Sequence, residues 1–401
     1  FAALRDRPEI RRLAGNPVML TCLCVVHWHR KGSLPEGRAE VYREVIHWLL
    51  KARESKRLAY KREHEIKPMS VELFEEALAA LALKMMTASS GKRVVVDFAW
   101  ATEALAPLMR RYFSTEDGPS LARQLGDLLR FECECSGVLH EQGQGQLKFW
   151  HLTFQEYLAA RRLAHMGDGW RIISARLDDR QWRETIDLYP ACLIERGVEQ
   201  VDSLMKRALS LRKDSSDLAA TAEIVGLAGR LLATLRPFAY RLPEPQATTY
   251  EVLRERALGI FTPKGAAQVS EEKRIAAAEA LGRAGDPRLR PESFRERLLP
   301  LPGTRVRLAK YPVTVEEFER FVLDGGYEKR ELWDEEGWTC REQHTWIAPD
   351  KWDNQLETPN RPVVGVSWFE AAAYCRWLST PELTVRLPTR AEWRVAAVPD
   401  R

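Results

Sequence analysis

Tryptophan is distributed unevenly along this chain of 401 residues. Seven of its 13 tryptophans stand between positions 333 and 393, where long irregular stretches separate short helical patterns. A domain with few regular elements has to hold its loops together by burying large aromatic side chains. The run Leu298-Leu299-Pro300-Leu301-Pro302-Gly303 just before it has the proline spacing of a linker or an entry strand. We therefore predict a loop-rich domain from residue 298 onward.

The first 165 residues have the apolar spacing of helices. Pro17 can occupy the first turn of one helix. Val41, Val45 and Ile46 recur with the spacing of a helix that turns one face to a core. A further helical stretch is predicted for residues 71 to about 88. Residues 136–140 and 146–151 are instead short candidate strands, and a small hairpin after a helix is typical of the wing in a winged helix.

Four pairs of residues have the spacing of a capping box, in which a hydroxyl and a carboxylate each accept a hydrogen bond from a free backbone N–H group. Each pair predicts the start of a helix. The pairs are Thr153 with Glu156, Thr314 with Glu317, Ser367 with Glu370, and Thr389 with Glu392. In the first pair, Thr153 is the predicted N-cap.

Residues 170 to about 290 are also predicted to be helical, with breaks at Pro190, Gly197, Pro237 and the pair Pro243–Pro245. Residues 273–289 place small side chains along a helix that stops abruptly at Gly285-Asp286-Pro287. This piece resembles a HEAT-type repeat, whose small residues permit close stacking of helices. Only one clear copy occurs, whereas a stable stack needs about three units. The sequence leaves the number of repeats open.

Charge, apolar runs and cysteines argue against a nucleic-acid-binding, membrane-spanning or secreted protein. The formal net charge of +4 gives no reason to expect a nucleic-acid partner, and the basic clusters at 56–57 and 61–62 alternate with glutamates, as solvated helix faces do. No apolar run comes near the roughly 20 residues of a membrane span, and the N-terminus lacks the layout of a signal peptide. The seven scattered cysteines are expected to be reduced thiols in a cytoplasmic protein. A first residue other than methionine, Phe1, suggests a piece of a longer protein.

Two motifs carry a resemblance to NACHT members of the STAND NTPases. The first is GNPVML at residues 15–20, followed by Leu34-Pro35 and residues 38–42. It looks like the helical domain that follows the P-loop core in that family. The second is FWHLTFQEYLAA at residues 149–160, which is similar to the winged-helix signature of the same family. Trp182-Arg183-Glu184 also resembles the helical segment after such modules, although it reads equally as an ordinary amphipathic helix.

The resemblance implies an adenine-nucleotide site. In that family the motif proline packs against the adenine, and the winged-helix histidine reaches the β-phosphate of ADP in the closed state. These roles fall on Pro17 and His151. A phosphate is physically reasonable beside His151, because free N–H groups and the positive end of the dipole favour an anion at a helix N-terminus. The alternatives are a packed core histidine and a proline that only starts a helix.

The nucleotide site implied by the resemblance is incomplete. The sequence contains no G-x-x-x-x-G-K-[ST] motif, and no acidic Walker B strand precedes the helical motif. Those elements supply the phosphate cradle, the lysine and the Mg²⁺ ligands. The chain is therefore expected to hold only the lid half of an ATP or ADP site, with magnesium bound in a longer parent, and not to hydrolyse ATP as it stands.

The end of the chain resembles the formylglycine-generating-enzyme, or sulfatase-modifying-factor, family. The resemblance rests on Tyr311-Pro312-Val313-Thr314 with Phe318 and Phe321, then on PVVGVSWFEAAAYCRWL at 362–378 and RLPTRAEWRVAA at 386–397. It implies a C-type-lectin-like fold. Enzymes of this family use a cysteine pair and copper in the second half of the domain. Cys340 and Cys375 are the only cysteines in this region, and Cys375 is predicted to be a buried core thiol.

Together these patterns predict a multidomain, mainly α protein. Its predicted parts are a NACHT helical domain at 1–115, a winged helix at 116–168, a HEAT-like helical connector at 169–297, and the N-terminal half of an irregular α+β, C-type-lectin-like domain at 298–401. We predict no catalytic residue and no metal ligand among these residues. The acidic run of Glu331, Asp334, Glu335 and Glu336 is read as a solvated loop.

The predicted function is part of an ATP/ADP-dependent switch in bacterial defence or signal transduction, with the lectin-like domain as its sensor or effector. Two alternatives stay open: a formylglycine-generating oxidase whose catalytic cysteines lie outside this sequence, and a module that displays a ligand-binding surface. The expected partners are further copies of a full-length parent, associating through the NACHT module, and an unidentified ligand or protein trigger. Neither a membrane nor a nucleic acid is expected as a partner.

Overall fold

The computed structural model describes residues 8–52, 70–89, 91–112, 118–135, 137–143, 145–211, 217–289, 294–356 and 358–397. Helices dominate these residues, as the sequence predicts. The chain divides into two compact units. The first comprises Phe1–Arg207 and Leu231–Pro243, and the second Ala208–Arg230 and Glu244–Arg401. The basic clusters at 56–57 and 61–62, the first residue and the last four residues lie outside the described part.

The α-helices before residue 210 occupy most of that stretch. They are α1 (Pro8–Leu13), α2 (Pro17–His29), α3 (Arg38–Ala52), α4 (Val71–Met86), α5 (Phe98–Met109), α6 (Gly118–Cys135), α7 (Leu152–Ala164), α8 (Gly169–Ser174), α9 (Arg183–Leu193) and α10 (Val198–Leu209). The predicted helices at Pro17, at 38–50 and at 71–88 are therefore confirmed.

Helix α7 forms the centre of the first unit. It packs against α4 on one side and α9 on another. Its side chains Phe154, Leu158, Ala160 and Leu163 are all fully buried. Burying a phenylalanine or leucine side chain stabilises a fold by about 1.5–3 kcal/mol. This burial holds the N-terminal end of α7 in a fixed place.

A small antiparallel sheet precedes α7. Its strands are β1 (Val95–Asp97), β2 (Leu139–Glu141) and β3 (Gln146–Phe149), in the order β1-β3-β2, with Leu139 opposite Phe149. The predicted hairpin is confirmed, whereas β1 was not predicted. The turn between β2 and β3 contains Gly143 and Gly145 at φ values of +66° and +82°. Such angles favour glycine, because other residues strain there.

Two sequence-based details are wrong. Helix α7 begins at Leu152 with His151 as its N-cap, so Thr153 is not the cap and Glu156 does not close a capping box. Pro190 lies inside α9 and does not break it. It falls in the last turn of the helix, where it removes one backbone hydrogen bond while its neighbours stay buried. The predicted breaks at Gly197, at Pro237 and at residues 243–245 are confirmed.

The second unit begins with helices that stack through small residues. The α-helices after residue 217 are α11 (Leu218–Leu235), α12 (Gln246–Ala257), α13 (Pro263–Gln268) and α14 (Glu271–Arg283). A Cβ atom on Gly226 of α11 would lie 2.6 Å from the Cβ of Ala280, so the two backbones approach closely. This is the close stacking that the small residues predict, and the repeat assignment itself stays a prediction.

One helix in the described residues satisfies the length and hydropathy of a membrane span. It covers Leu218–Phe238, and 67% of its apolar window is buried inside the structure. The sequence-based statement that no apolar run comes near this length is therefore too strict. Because a core helix passes the same test, length and composition alone are weak support for a membrane span.

The last part of the second unit is irregular and aromatic. A two-stranded antiparallel sheet joins β4 (Leu298–Pro300) to β5 (Arg307–Ala309), which confirms the predicted entry strand. Its helices are α15 (Val315–Leu323), α16 (Glu335–Gln343), α17 (Trp352–Gln355), α18 (Trp368–Leu378) and α19 (Arg390–Ala397).

Aromatic side chains form the core of this irregular part. Phe318 of α15 stacks on Tyr374 of α18 with ring centroids 5.1 Å apart, and Phe321, Trp333 and Trp352 are buried around them. The expected aromatic burial is thus confirmed for this core, whereas Trp368 and Trp393 are 62% and 60% exposed. The capping boxes that begin α15 and α18 are also confirmed.

Candidate functional site

The first predicted site residue, Pro17, opens helix α2. Asn16 is the N-cap, and its side-chain Oδ1 accepts hydrogen bonds from the backbone N–H groups of Val18 at 2.9 Å and Met19 at 3.3 Å. Proline fits the first helical position because its fixed φ suits the helix and its missing N–H group is not needed there. The Pro17 ring is exposed, so it is free to contact a ligand.

The second predicted site residue, His151, is the N-cap of α7. Its backbone is extended, with φ −131° and ψ 141°. The imidazole Nδ1 lies 2.7 Å from the hydroxyl of Thr153 and 3.3 Å from the backbone nitrogen of the same residue. The ring of Phe154 packs at an angle of 62° to the imidazole. The side chain is half-buried, and this burial lowers the pKa of His151 below its ordinary value.

The structure brings the two predicted sites together through Asn16. The amide nitrogen Nδ2 of Asn16 lies 3.1 Å from Nε2 of His151, although 135 positions separate the two residues. Because Pro17 follows Asn16 directly, the N-terminal ends of α2 and α7 meet at this point. Helix dipoles place partial positive charge at both ends, so an anionic group is favoured beside them.

One ion pair joins two of the helices in this unit. Arg38 of α3 donates to both carboxylate oxygens of Glu184 on α9, at 2.8 and 3.0 Å. Both contacts come from the single guanidinium nitrogen Nη1, so the pair is a charge-assisted contact of one nitrogen with two oxygens. Both residues belong to segments singled out by motif, the one at 38–42 and the one at 182–184. The contact shows that these segments pack against each other within the first unit.

Sequence reasoning missed two residues of the junction. Asn16 stands inside the quoted motif and received no role, although an asparagine before a proline is a recognisable N-cap signal. Thr153 was predicted to be the N-cap, whereas its hydroxyl contacts the imidazole of His151. Neither the Asn16–His151 contact nor its geometry has a local sequence signal.

In the second unit, the sequence analysis singled out two cysteines and an acidic run. Cys375 is buried, as predicted, and its burial raises the pKa of the thiol. Cys340 is half-buried on α16. In the acidic run, Asp334 caps α16 and also lies 3.4 Å from Arg376, while Glu335 occupies the first helical turn. Three residues of the acidic run, Asp334, Glu335 and Glu336, therefore form the start of helix α16 and not the predicted loop. Among the residues described, no group of three or more His, Cys, Asp and Glu side chains is arranged so that it could hold a metal ion.

Two families match separate parts of the chain. Residues 38–163 match the family described as the winged helix-turn-helix domain C-terminal to NACHT. Residues 282–399 match the sulfatase-modifying factor enzyme 1-like domain. The chain therefore carries a NACHT-associated winged helix and a domain of the formylglycine-generating-enzyme type, as its motifs indicate.

Curated relatives match the second of these domains. The chain is 36% identical over 105 residues to the hercynine oxygenase of Mycobacterium tuberculosis, which covers 23% of this chain and 24% of the relative. It is 45% identical over 53 residues to the formylglycine-generating enzyme of Thermomonospora curvata, covering 13% and 16%. It is 56% identical over 39 residues to that of Streptomyces coelicolor, covering 10% and 11%. The chain thus spans no more than about a quarter of the length of these relatives. No solved structure matches it.

Proposed function

We propose that this chain carries the lid half of an adenine-nucleotide switch, joined to a formylglycine-generating-enzyme-type domain that acts as sensor or effector. The observation that carries the proposal is the contact between Asn16 Nδ2 and His151 Nε2 at 3.1 Å. It places the residue after the winged-helix hairpin beside the residue that precedes Pro17. A nucleotide at this junction would meet both motif residues at once.

The chemistry of the junction suits ADP. The exposed Pro17 ring offers an apolar surface to an adenine. Helices α2 and α7 are each 13 residues long. Their N-terminal ends favour the negative charge of a diphosphate. An imidazole N–H group of His151 would add one donor to a phosphate oxygen. The cradle of a P-loop and its Mg²⁺ ligands would have to come from elsewhere, since the sequence lacks that motif.

Cys375 gives no support to an oxidase role within this sequence. A reactive cysteine needs an accessible thiolate. Cys375 is buried, and burial raises its pKa, which disfavours the thiolate. The proposal places the protein in the cytoplasm, because all seven cysteines are free thiols and a reducing compartment keeps them so. It also includes self-association of a longer parent through the NACHT module in response to a ligand or protein trigger.

The alternative function is oxidation by the second domain, in line with the names of its relatives. It requires a pair of reactive cysteines beyond those in this sequence. A sequence of the parent gene that contains such a pair would favour this alternative. A third possibility, a ligand-display module, would be favoured by substitutions clustered on the exposed loops of the domain among close homologues.

Isothermal titration calorimetry of the 401-residue chain with ADP tests the nucleotide proposal. A dissociation constant of about 1 mM is expected, because a few polar contacts without a P-loop supply only about 4 kcal/mol. His151→Ala should abolish the heat signal. His165→Ala is the matched control, since His165 is exposed at the far end of the same helix and should leave binding unchanged. Equal affinity of wild type and His151→Ala, or no binding by wild type, would overturn the proposal.

A further inference from the structure

The two ends of the Asn16 amide have separate tasks. Oδ1 accepts from the N–H groups of Val18 and Met19, and so caps α2. This leaves Nδ2, which can only donate, directed at Nε2 of His151 at 3.1 Å. The capping bonds fix which end of the amide faces the histidine.

The surroundings of the imidazole are rich in donors. Nε2 faces the NH₂ group of Asn16, and Nδ1 faces the hydroxyl and the backbone N–H group of Thr153. The side chains of Asn16, Thr153 and Phe154 contact the ring, and none of these three titrates. A doubly protonated ring would direct Nε2–H at the NH₂ group of Asn16, while Nδ1–H would still find an acceptor in the Thr153 hydroxyl.

Each neutral form of the ring keeps two of its three polar contacts, and the form with its proton on Nδ1 keeps the two shorter ones. With its proton on Nδ1, the ring donates to the Thr153 hydroxyl at 2.7 Å and accepts from Asn16 at 3.1 Å. The backbone N–H group of Thr153, which donates to Nδ1 at 3.3 Å, then loses this acceptor. With its proton on Nε2, the mismatch moves to the shorter contact with Asn16.

We propose that Asn16 holds His151 in the neutral form that carries its proton on Nδ1, and thereby keeps Nε2 from binding a phosphate until the amide turns away. A phosphate oxygen needs an N–H donor, whereas Nε2 in this form is an acceptor. The part of this inference that concerns ADP rests on the proposed function. Binding of the β-phosphate and the Asn16 contact exclude each other, so release of Asn16 is a step in loading the site.

Nuclear magnetic resonance of the imidazole nitrogens tests the tautomer without any nucleotide. The chain is labelled with ¹⁵N-histidine, and the His151 signal is assigned with His151→Gln. Wild type should show the proton on Nδ1. Asn16→Ser keeps a good N-cap but is too short to reach the ring, so its proton should move to Nε2. Asn16→Asp also keeps the cap and offers an acceptor, so its imidazole should stay doubly protonated to higher pH than in wild type.

Two results would overturn the tautomer assignment. One is an Nε2 proton in wild type, and the other is an unchanged His151 signal in both variants. The signals of the other seven histidines report whether each variant is folded. Because Ser and Asp are both preferred N-caps, a fold defect shared by both variants is not expected.

Calorimetry with ADP tests the coupling. Loss of one competing hydrogen bond should make Asn16→Ser bind ADP roughly two- to tenfold more tightly than wild type. Equal ADP affinity in both proteins would overturn the coupling while leaving the nucleotide site intact. Absence of ADP binding in wild type would instead overturn the proposed function, and the tautomer measurement would still decide the role of Asn16.

Discussion

Lys92 Nζ donates a hydrogen bond of 2.7 Å to Glu156 Oε1, and the two side chains are only 7% and 9% exposed. Lys92 also donates to the backbone carbonyl of Gln181 at 3.1 Å. Burial raises the pKa of Glu156, and the lysine opposes that effect. The pair therefore fixes α7 to the segment before β1, one and a half turns from His151.

Removal of one partner of this pair should destabilise the protein strongly. Lys92→Met leaves the Glu156 carboxylate buried without its cation, which costs about 3–5 kcal/mol in comparable buried pairs. The double variant Lys92→Met, Glu156→Gln should recover much of the loss. Urea denaturation followed by circular dichroism measures both.

Arg171→Met is the control, because the two side chains of the Arg171–Asp168 pair are 80% and 45% exposed. This variant should change stability by less than about 1 kcal/mol. An equally small effect of Lys92→Met would contradict the prediction.

Capping boxes show what sequence spacing can and cannot predict. Those at Thr314 and Ser367 form as predicted, because all their bonds lie within four consecutive residues. The third, at Thr389, also has both of its bonds. The one at Thr153 fails, since His151 takes the hydroxyl and Lys92, 64 positions away, takes the carboxylate. Long-range partners override a local pattern, and the sequence does not display them.

The candidate site shows the same limit: its local features could be predicted from the sequence, but its long-range contact could not. Family motifs identify Pro17 and His151, and the helices that carry them follow from apolar spacing. The contact that unites them runs through Asn16, and no periodicity reports a pair 135 positions apart. Strand β1 was missed for a related reason, because three residues are too few to show an alternating pattern.

Glu370 should matter more than its place at a helix start suggests. Its carboxylate caps the backbone of Ser367 at 2.6 Å and accepts from the hydroxyl of Tyr327 at 2.5 Å, and the residue is only 3% exposed. Glu370→Ala removes the cap and leaves a buried hydroxyl unpaired, which should cost about 2–4 kcal/mol. Chemical denaturation measures the loss.

Two further variants bound this prediction. Glu392→Ala is the control, because Glu392 closes the same kind of box on an exposed helix and should have a much smaller effect. The combination of Glu370→Ala with Tyr327→Phe should be less destabilising than the sum of the two single variants, since both remove the same hydrogen bond. Strict additivity would show that the bond is not important.

The thiols should differ widely in reactivity. Cys24 is exposed, whereas Cys192 and Cys375 are buried and their burial raises both pKa values. Native protein treated with iodoacetamide should therefore be modified first at Cys24, with Cys192 and Cys375 protected until urea is added. Mass spectrometry of tryptic peptides follows the order. Rapid modification of Cys375 in native protein would contradict its burial in the structure.

The stability of the first unit should depend on pH through His151. Burial lowers the pKa of this imidazole, so the unfolded chain takes up the proton at higher pH than the folded chain does. The contribution of His151 to stability is thus complete above the unfolded pKa of about 6.5. It is lost as pH falls through the folded pKa.

Urea denaturation between pH 8 and pH 5 measures this contribution. His151→Asn retains an N-cap but does not titrate, so its stability should fall less steeply on acidification, by at most the equivalent of one proton. Because burial and not a charged neighbour causes the shift, the difference should persist at high salt. Identical slopes in the two proteins would show that the His151 pKa is the same in folded and unfolded states.

Gly229 should contribute to stability by allowing α11 to stack closely on α14. A Cβ atom there would lie 2.3 Å from the Cα and 2.6 Å from the Cβ of Ala284. No side-chain rotation can relieve this clash, because the atoms that collide are fixed by the two backbones. On an isolated helix, alanine in place of glycine would gain up to about 1 kcal/mol. Here overpacking of a tight contact should outweigh that gain and cost about 1–3 kcal/mol.

Gly126→Ala on α6 is the control, since its nearest neighbour would be 3.7 Å away, and it should be neutral or slightly stabilising. A stabilising Gly229→Ala would mean that α11 and α14 are not packed at this distance in solution, and the close stacking expected of a HEAT-like pair would lose its support.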